Sequence, residues 1–357
     1  MINFILWEIR PEIWPEGPLP LRWYGLLFAA AFAFGQIIIT AIFKRDGRPL
    51  KDVDALTYYM IAGTVLGARL GHCLFYQPDY YLLNPLEILK IWEGGLASHG
   101  ATAGIIFALW LYSRKRPDQS WLWILDRIVI VVALGGFFIR MGNLMNSEIV
   151  GKPSDLPWSF VFTQPFESAI RESAGADAEE INLKKKGDAE NTALHLQMVF
   201  RPGSADEKQA GIFAGQIIPQ LISRSNGEEP HIRMSADPQI RISRDSAGRT
   251  ILNMDLLGIP RHPAMVYEAL STLLLFGFLF MLWKHNPDLP EGRLFGLFVC
   301  ILFSLRFAYE YLKENQVAFE NDLFLNMGQF LSIPLVLAGI GILIWSFGKK
   351  EKNIPSG

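Results

Sequence analysis

The chain has 357 residues, half of them hydrophobic, 13% aromatic and only 19% charged, with a net charge of −2. Soluble chains carry about a quarter charged residues, so the deficit points to segments that never meet water. The near-neutral balance excludes a nucleic-acid binder working through bulk positive charge, and the two cysteines, Cys73 and Cys300, both inside apolar runs, exclude a disulfide scaffold and a cysteine-based zinc site.

The opening residues, MINFILWEIRPEIW, lack a basic region followed by an uninterrupted apolar run and a small-residue cleavage site, so no cleaved signal peptide is expected. A membrane span needs about 20 mostly apolar residues. Seven stretches qualify or nearly do: 23–43, 55–76, 96–112, 119–139, 264–283, 294–312 and 323–347. Asp126 and Arg127 interrupt the fourth; Pro334 lies within the last, where neighbouring helices can satisfy the carbonyl it frees. Trp23 and Tyr24 open the first span, as an interfacial aromatic belt would.

Lys and Arg in short loops set orientation. One side collects Lys44, Arg45, Arg48, Lys51, Arg114, Lys115, Arg116, Lys284, Arg293, Lys349, Lys350 and Lys352, the other only Arg10, Arg22, Lys90 and Lys313. This asymmetry predicts a cytoplasmic C-terminus and, with an odd number of spans, an outside N-terminus. The expected organisation is helices 1–4 within 1–150, an outer insertion over 151–262, helices 5–7 within 263–348 and a cytoplasmic tail over 349–357. In the insertion, HLQMVFRP, HIRMSADP, QIRISRD and RTILNMD alternate enough to predict short strands, with turns at SADP and DSAG. The run AGADAEEINLKKKGDAEN reads as a mobile loop. The fold expected is an all-α polytopic membrane protein with an α+β or β-containing insertion.

An ionisable side chain in hydrocarbon costs roughly 2.5–3.5 kcal/mol on insertion scales, so each one requires a reason. Asp126 with Arg127, and Arg306 with Glu310, can be read as neighbours neutralising each other; the second pair is four apart on one helix face. His99 and Arg140 have no such partner in their own segments. His99 stands between small residues in Gly94-Gly95-Leu-Ala-Ser-His99-Gly100, where backbone or ligand can come close. The alternative is a hydrogen-bonded packing histidine. Arg140 opens the densest polar constellation, with Asn143, Asn146, Ser147, Glu148 and Gly151. Arg140, Asn143 and Ser147 share a face if the helix continues that far. A guanidinium fork beside carboxamides suits phosphate oxygens; a polar cluster capping a helix at the membrane surface is the plainer reading. Arg261-His262-Pro263 and Tyr267-Glu268 sit where the insertion re-enters the bilayer, with Pro263 suited to a first helical turn and Glu268 facing inward or pairing with an Arg.

Taken in order, these clusters resemble the prolipoprotein diacylglyceryl transferase family. The resemblance runs through Trp23-Tyr24-Gly25, Gly67-Ala-Arg69-Leu-Gly71 and Gly94-Gly95 with His99-Gly100. It continues through the Arg140-x-Gly142-Asn143-x-x-Asn146-x-Glu148-x-x-Gly151 signature and Arg261-His262-Pro263 with Tyr267-Glu268. It ends with Arg306-x-x-x-Glu310 and Met327-Gly328-Gln329 with Ser332 and Pro334. Four places depart from the family pattern: Ala101 after His99-Gly100, Ala-Met-Val before Tyr267-Glu268, Leu302 where a Tyr is frequent, and Lys313 where an Arg is usual. Residues 165–255 lie outside the resemblance.

The resemblance implies seven transmembrane helices around a lipid cavity, a periplasmic head between the fourth and fifth, and a place in the bacterial inner membrane. The implied reaction moves diacylglycerol from phosphatidylglycerol to the thiol of a prolipoprotein's lipobox cysteine. His99, Arg140 and Arg306 are the implied catalytic residues. Tyr24, Arg69, Asn143, Asn146, Glu148, Gly151 and Glu310 are implied at the phosphatidylglycerol site, supported by Gly100, His262, Tyr267 and Glu268. No metal or organic cofactor is expected, since the transferred lipid carries its own leaving group. Partners expected are membrane lipids and the prolipoprotein signal peptide.

Three other classes compete. A transporter with an intramembrane Arg/His/Glu substrate site would favour inverted repeats and paired broken helices, and the sequence has neither. An intramembrane hydrolase needs a nucleophile beside its base, whereas Ser98 and His99 point apart on a helix. A non-catalytic receptor or scaffold built on the insertion could coexist with transferase activity.

Overall fold

The computed structural model describes residues 4–14, 21–91, 95, 97–186, 192–223, 230–314 and 324–352. Each of the seven apolar stretches lies on a helix: α1 (Trp23–Arg45), α2 (Lys51–Phe75), α4 (Ser98–Arg114), α5 (Trp121–Met145), α9 (Ala264–His285), α10 (Arg293–Glu310) and α11 (Met327–Lys352). A short α3 (Pro78–Leu83) follows α2. Trp23–Arg45, Trp121–Met145, Ala264–His285 and Met327–Gly348 are long and apolar enough to cross a membrane. They also carry exposed Phe34, Ile37, Leu274, Met281, Phe330 and Ile344, a display that water does not tolerate and lipid does. The chain is a mostly helical polytopic membrane protein with a small sheet.

The chain divides into two compact units. One comprises Ala29–Phe137, Thr272–Phe303 and Pro334–Gly357. Its core gathers Ile42, Phe43, Leu56, Leu109, Tyr112, Ile124, Ile130 and Leu279, all nearly inaccessible. Within it α2 and α4 meet through glycines: a Cβ on Gly100 would stand 2.3 Å from the Gly67 carbonyl, and one on Gly104 2.2 Å from that of Gly63. Backbones this close let dispersion and weak Cα–H···O contacts hold the two helices together. Asp126 and Arg127 do not pair with each other. Asp126 instead accepts from the backbone N–H groups of Gly292 and Phe295 at 2.7 and 2.8 Å, satisfying orphan donors where α10 begins, while Arg127 pairs with Asp46 at 2.9 Å.

The other unit comprises Met1–Phe28, Phe138–Ser271 and Ser304–Ile333. A strand β1 (Phe4–Trp7) pairs in parallel with β2 (Ser159–Phe162), and α6 (Gln164–Ala174) follows. Then come β3 (Ala178–Lys185), β4 (Ala193–Phe200), α7 (Glu207–Ile212), a π-helical turn over Phe213–Ile217, α8 (Ile218–Ser223), β5 (Ile232–Met234), β6 (Arg241–Arg244) and β7 (Thr250–Gly258). The five later strands form one antiparallel sheet, order β3-β4-β7-β5, with β6 also on β7. Leu194, Leu196 and Met198 on β4 and Leu252, Met254 and Leu256 on β7 turn to one face, where Phe166 and Ile170 of α6 and Ala210, Ala214 and Ile218 pack over them. That is the period-two pattern of a half-buried sheet.

One expectation is corrected. The stretch read as a mobile loop contains β3, whose Ala178, Ile181 and Leu183 are buried. Polar residues at both ends of the run masked that alternation; its last residues, 187–191, lie outside the described set.

The segment between α5 and α9 is tied at its root. Gly151 donates to the His262 carbonyl at 2.9 Å, Ser154 to that of Pro260 at 2.9 Å, and Phe160 and Arg261 exchange backbone hydrogen bonds. Arg261 is completely buried. Its guanidinium donates to the carbonyls of Gly151 and Pro230 at 3.2 and 3.1 Å and pairs with Glu314. A buried Arg holding three acceptors is a staple, since removing it would orphan them.

Candidate functional site

Helix α5 ends at Met145, two residues before Ser147, so Ser147 leaves the face it was expected to share with Arg140 and Asn143. The chain instead turns sharply: Ser147 and Ile149 have φ of 54° and 58°. A β-branched residue in the left-handed region costs roughly 1–3 kcal/mol and persists only where its surroundings enforce it. The turn brings Glu148 back over the helix end, where its backbone N–H reaches the Asn143 carbonyl at 3.0 Å. Its carboxylate accepts from the side-chain amides of Asn143 and Asn146, both at 3.2 Å. Asn143 in turn accepts from Nη1 of Arg140 at 3.2 Å. The signature residues are thus one hydrogen-bonded chain.

Its glycines are explained by close approach. A Cβ on Gly142 would stand 2.7 Å from the ring of Tyr24, so Tyr24 lies directly on the signature helix. One on Gly151 would stand 2.6 Å from the His262 Cβ and 2.8 Å from the carbonyl oxygens of His262 and Leu312.

Arg140 also pairs through Nε with the buried carboxylate of Glu268, and Lys313 pairs with the other oxygen of the same group. Lys313, itself buried, reaches Glu310 at 3.2 Å. Glu310 accepts from Asn326 at 3.3 Å and lies over Gly328, where a Cβ would stand 2.6 Å from its carboxyl carbon. Arg306 is therefore not neutralised by Glu310. It is exposed on α10 and, among the described residues, has no hydrogen-bond or ion-pair partner. Nearby in sequence, His262 Nδ1 lies 3.3 Å from the Tyr267 hydroxyl, which also accepts from Trp158 at 2.9 Å. Burial holds His262 below the usual histidine range, favouring the neutral ring.

His99, Gly100 and Arg69 belong to the other unit. His99 is exposed in the first turn of α4, with its ring edge-on to Phe75 at 5.1 Å and tilted against Tyr76 at 5.9 Å. Gly100 is a helix-contact residue, pressed on Gly67 and Gly71. Arg69 is buried, donates to the carbonyls of Glu87 and Ile88 at 2.6 and 2.9 Å, and stacks over Tyr81. It holds the segment after α2 and, with His72 and Tyr76, borders an open cavity of about 730 Å³.

Sequence spacing missed Lys313 as the hub between Glu268 and Glu310, and it missed Trp158 and Asn326. In the sequence Lys313 stood out only as one of four basic residues on the basic-poor side and as a Lys where the family usually has an Arg.

One unit offers a fixed guanidinium, a second with no partner among the described residues, and a carboxamide–carboxylate chain; the other offers an exposed imidazole. The chain matches the model of the prolipoprotein diacylglyceryl transferase family over residues 11–345. Curated relatives bear the name phosphatidylglycerol–prolipoprotein diacylglyceryl transferase. The protein of Chloroherpeton thalassium is 35% identical over 345 residues, covering 96% of this chain and 95% of its own. That of Tolumonas auensis is 34% identical over 98% of this chain and 100% of its own, and that of Porphyromonas gingivalis 34% identical over 96% and 94%. With the family pattern met along nearly its whole length, the chain belongs to the prolipoprotein diacylglyceryl transferase family.

Proposed function

We propose that the chain transfers the diacylglyceryl group of phosphatidylglycerol to the lipobox cysteine of prolipoproteins, the first lipidation of bacterial lipoproteins. The thiolate sulfur attacks the glycerol carbon that bears the phosphate ester. A C–S bond forms, the C–O bond breaks with its electron pair on the phosphate oxygen, and a thioether and glycerol-1-phosphate result. The observation that carries this reading is the guanidinium of Arg140. Of its five N–H groups, one meets Glu268 and one Asn143; three have no partner among the described residues.

Those N–H groups face the work of binding a phosphodiester and stabilising charge on the departing phosphate. Arg306, cationic without a counter-ion among the described residues, is the second clamp. A free thiol titrates near about 8.5, so its thiolate needs help at neutral pH. His99, an exposed imidazole able to take or give a proton, is the proposed base or orienter. Asn143, Asn146 and Glu148 receive the headgroup glycerol, and Tyr24, packed on Gly142, donates to the phosphate. Arg69, Gly100, Gly151, His262, Tyr267, Glu268 and Glu310 hold the frame.

All seven long helices span the membrane in this reading, around a lipid cavity. The pairing of β1 with β2 supports an N-terminus on the same side as the insertion, and the basic loops favour the periplasm of a bacterial inner membrane for that side.

Purified protein incubated with labelled phosphatidylglycerol and a lipobox peptide should yield a thioether-linked diacylglyceryl peptide and glycerol-1-phosphate. Absence of the thioether with both substrates present would overturn the assignment and leave a lipid-binding or transport role.

A further inference from the structure

Glu268 is a carboxylate inside an apolar helix, and it touches two cations at once. Oε2 forms an ion pair with Nε of Arg140 and Oε1 one with Nζ of Lys313. Neither partner lies at helical spacing from it; one is near the end of α5 and the other beyond α10. A guanidinium is planar, so binding at Nε fixes the direction of its far edge, formed by Nη1 and Nη2. Asn143 holds Nη1 at 3.2 Å and leaves the remaining hydrogens of that edge in one orientation.

We propose that Glu268 is a positioning residue for the transfer: it grips Arg140 by Nε so that the far edge meets the lipid phosphate, and Lys313 is the counter-ion that keeps Glu268 in place. The proposal rests on the transferase reading above. Without Glu268 the flexible Arg140 stem would let the guanidinium rotate, and two-point binding of a phosphate would weaken most where charge develops, at the departing oxygen. Lys313 matters because a carboxylate shared by two cations has no reason to follow either one away. Its second contact, to Glu310 at 3.2 Å, anchors the ammonium in turn.

The experiment measures thermal stability, kcat and KM for phosphatidylglycerol in wild type, Glu268→Gln, Glu268→Gln/Lys313→Met, Arg140→Lys and Arg140→Lys/Glu268→Gln. Glu268→Gln should lower kcat by about 10²-fold with a smaller change in KM, on the scale of a mispositioned catalytic group. Its loss includes any cost of leaving the Lys313 charge buried and unpaired. The variant carrying Lys313→Met removes that charge and should regain melting temperature while staying slow. In the Arg140→Lys background, where no fork remains to be aimed, Glu268→Gln should cost less than about threefold, because residues acting through one group are not additive. Recovery of near-wild-type kcat in Glu268→Gln/Lys313→Met would overturn the proposal, leaving Glu268 as a mere partner for Lys313. So would a full loss on top of Arg140→Lys. If wild type itself makes no thioether, the transferase reading fails instead. Retention of phosphatidylglycerol in native mass spectra then decides the positioning role: equal retention by wild type and Glu268→Gln overturns it, and reduced retention supports it.

Discussion

Arg306 and Glu310 lie one turn apart on α10 and do not pair; Glu310 is engaged by Lys313 and Asn326 instead. Spacing alone made mutual neutralisation the simplest reading of the two. Their separation leaves a guanidinium exposed on an apolar helix, where charge is retained only for a reason.

Arg306→Gln should therefore separate activity from stability. No ion pair among the described residues is lost, so folding stability should stay within the range of ordinary surface substitutions, about ±0.5 kcal/mol. Transfer to a lipobox peptide should fall by at least about 10²-fold, as when one oxyanion donor is removed. A large drop in melting temperature with proportionate activity loss would make Arg306 structural.

For His99, His99→Gln should reduce the transfer rate by about 10²–10⁴-fold, the usual contribution of a general base. The ring contacts with Phe75 and Tyr76 are at an exposed position, so melting should change little. A rate within tenfold of wild type would assign His99 to packing.

Gly100→Ala should destabilise the α2–α4 pair, because its Cβ would stand 2.3 Å from a backbone oxygen that cannot move independently. Overpacking of this kind costs about 1–3 kcal/mol or more. Gly135→Ala, with nothing within 4 Å of the added Cβ, is the control and should not lower the melting temperature. Equal melting of the two variants would remove close backbone approach as the reason for Gly100.

His231, in the insertion, is pushed down to about 4, first by burial and then by the charge of Arg261. The unfolded chain takes up a proton near pH 6.5 and the folded one only near 4, so the unfolded state binds more protons between those values. Stability should be fully present above about pH 6.5 and decline as pH falls toward 4, by at most about 3 kcal/mol. Denaturant midpoints across that window should show the decline, and His231→Phe should flatten it.

Much of this fold was legible because its physics is local. Twenty apolar residues in a row make a membrane helix whatever surrounds them, and Leu194, Leu196 and Met198 announce a strand by period. β3 was not legible, because three buried residues among Glu and Lys look like solvated chain until a neighbouring strand covers them. The signature was legible as a set but not as geometry: nothing in Arg140-Met-Gly-Asn143 reveals that α5 stops at Met145 or that Ile149 turns left-handed. Ion pairs were least legible. Asp126 and Arg127 each chose a partner far along the chain, as did Glu268, since buried charges are satisfied by whatever tertiary packing delivers.

The knot of hydrogen bonds joining Gly151, Lys152, Ser154 and Phe160 to Pro260, Arg261 and His262 closes the excursion where it leaves and rejoins the helices. A polymer whose ends are already fastened can grow in its middle for about 0.6 kcal/mol per doubling of length. Whatever lineage history added or trimmed between those fastenings, the Arg140-to-Glu148 signature upstream and the Tyr267-Glu268 pair downstream would have felt almost none of it. Grafting a foreign domain there is accordingly an engineering route that leaves the chemistry undisturbed.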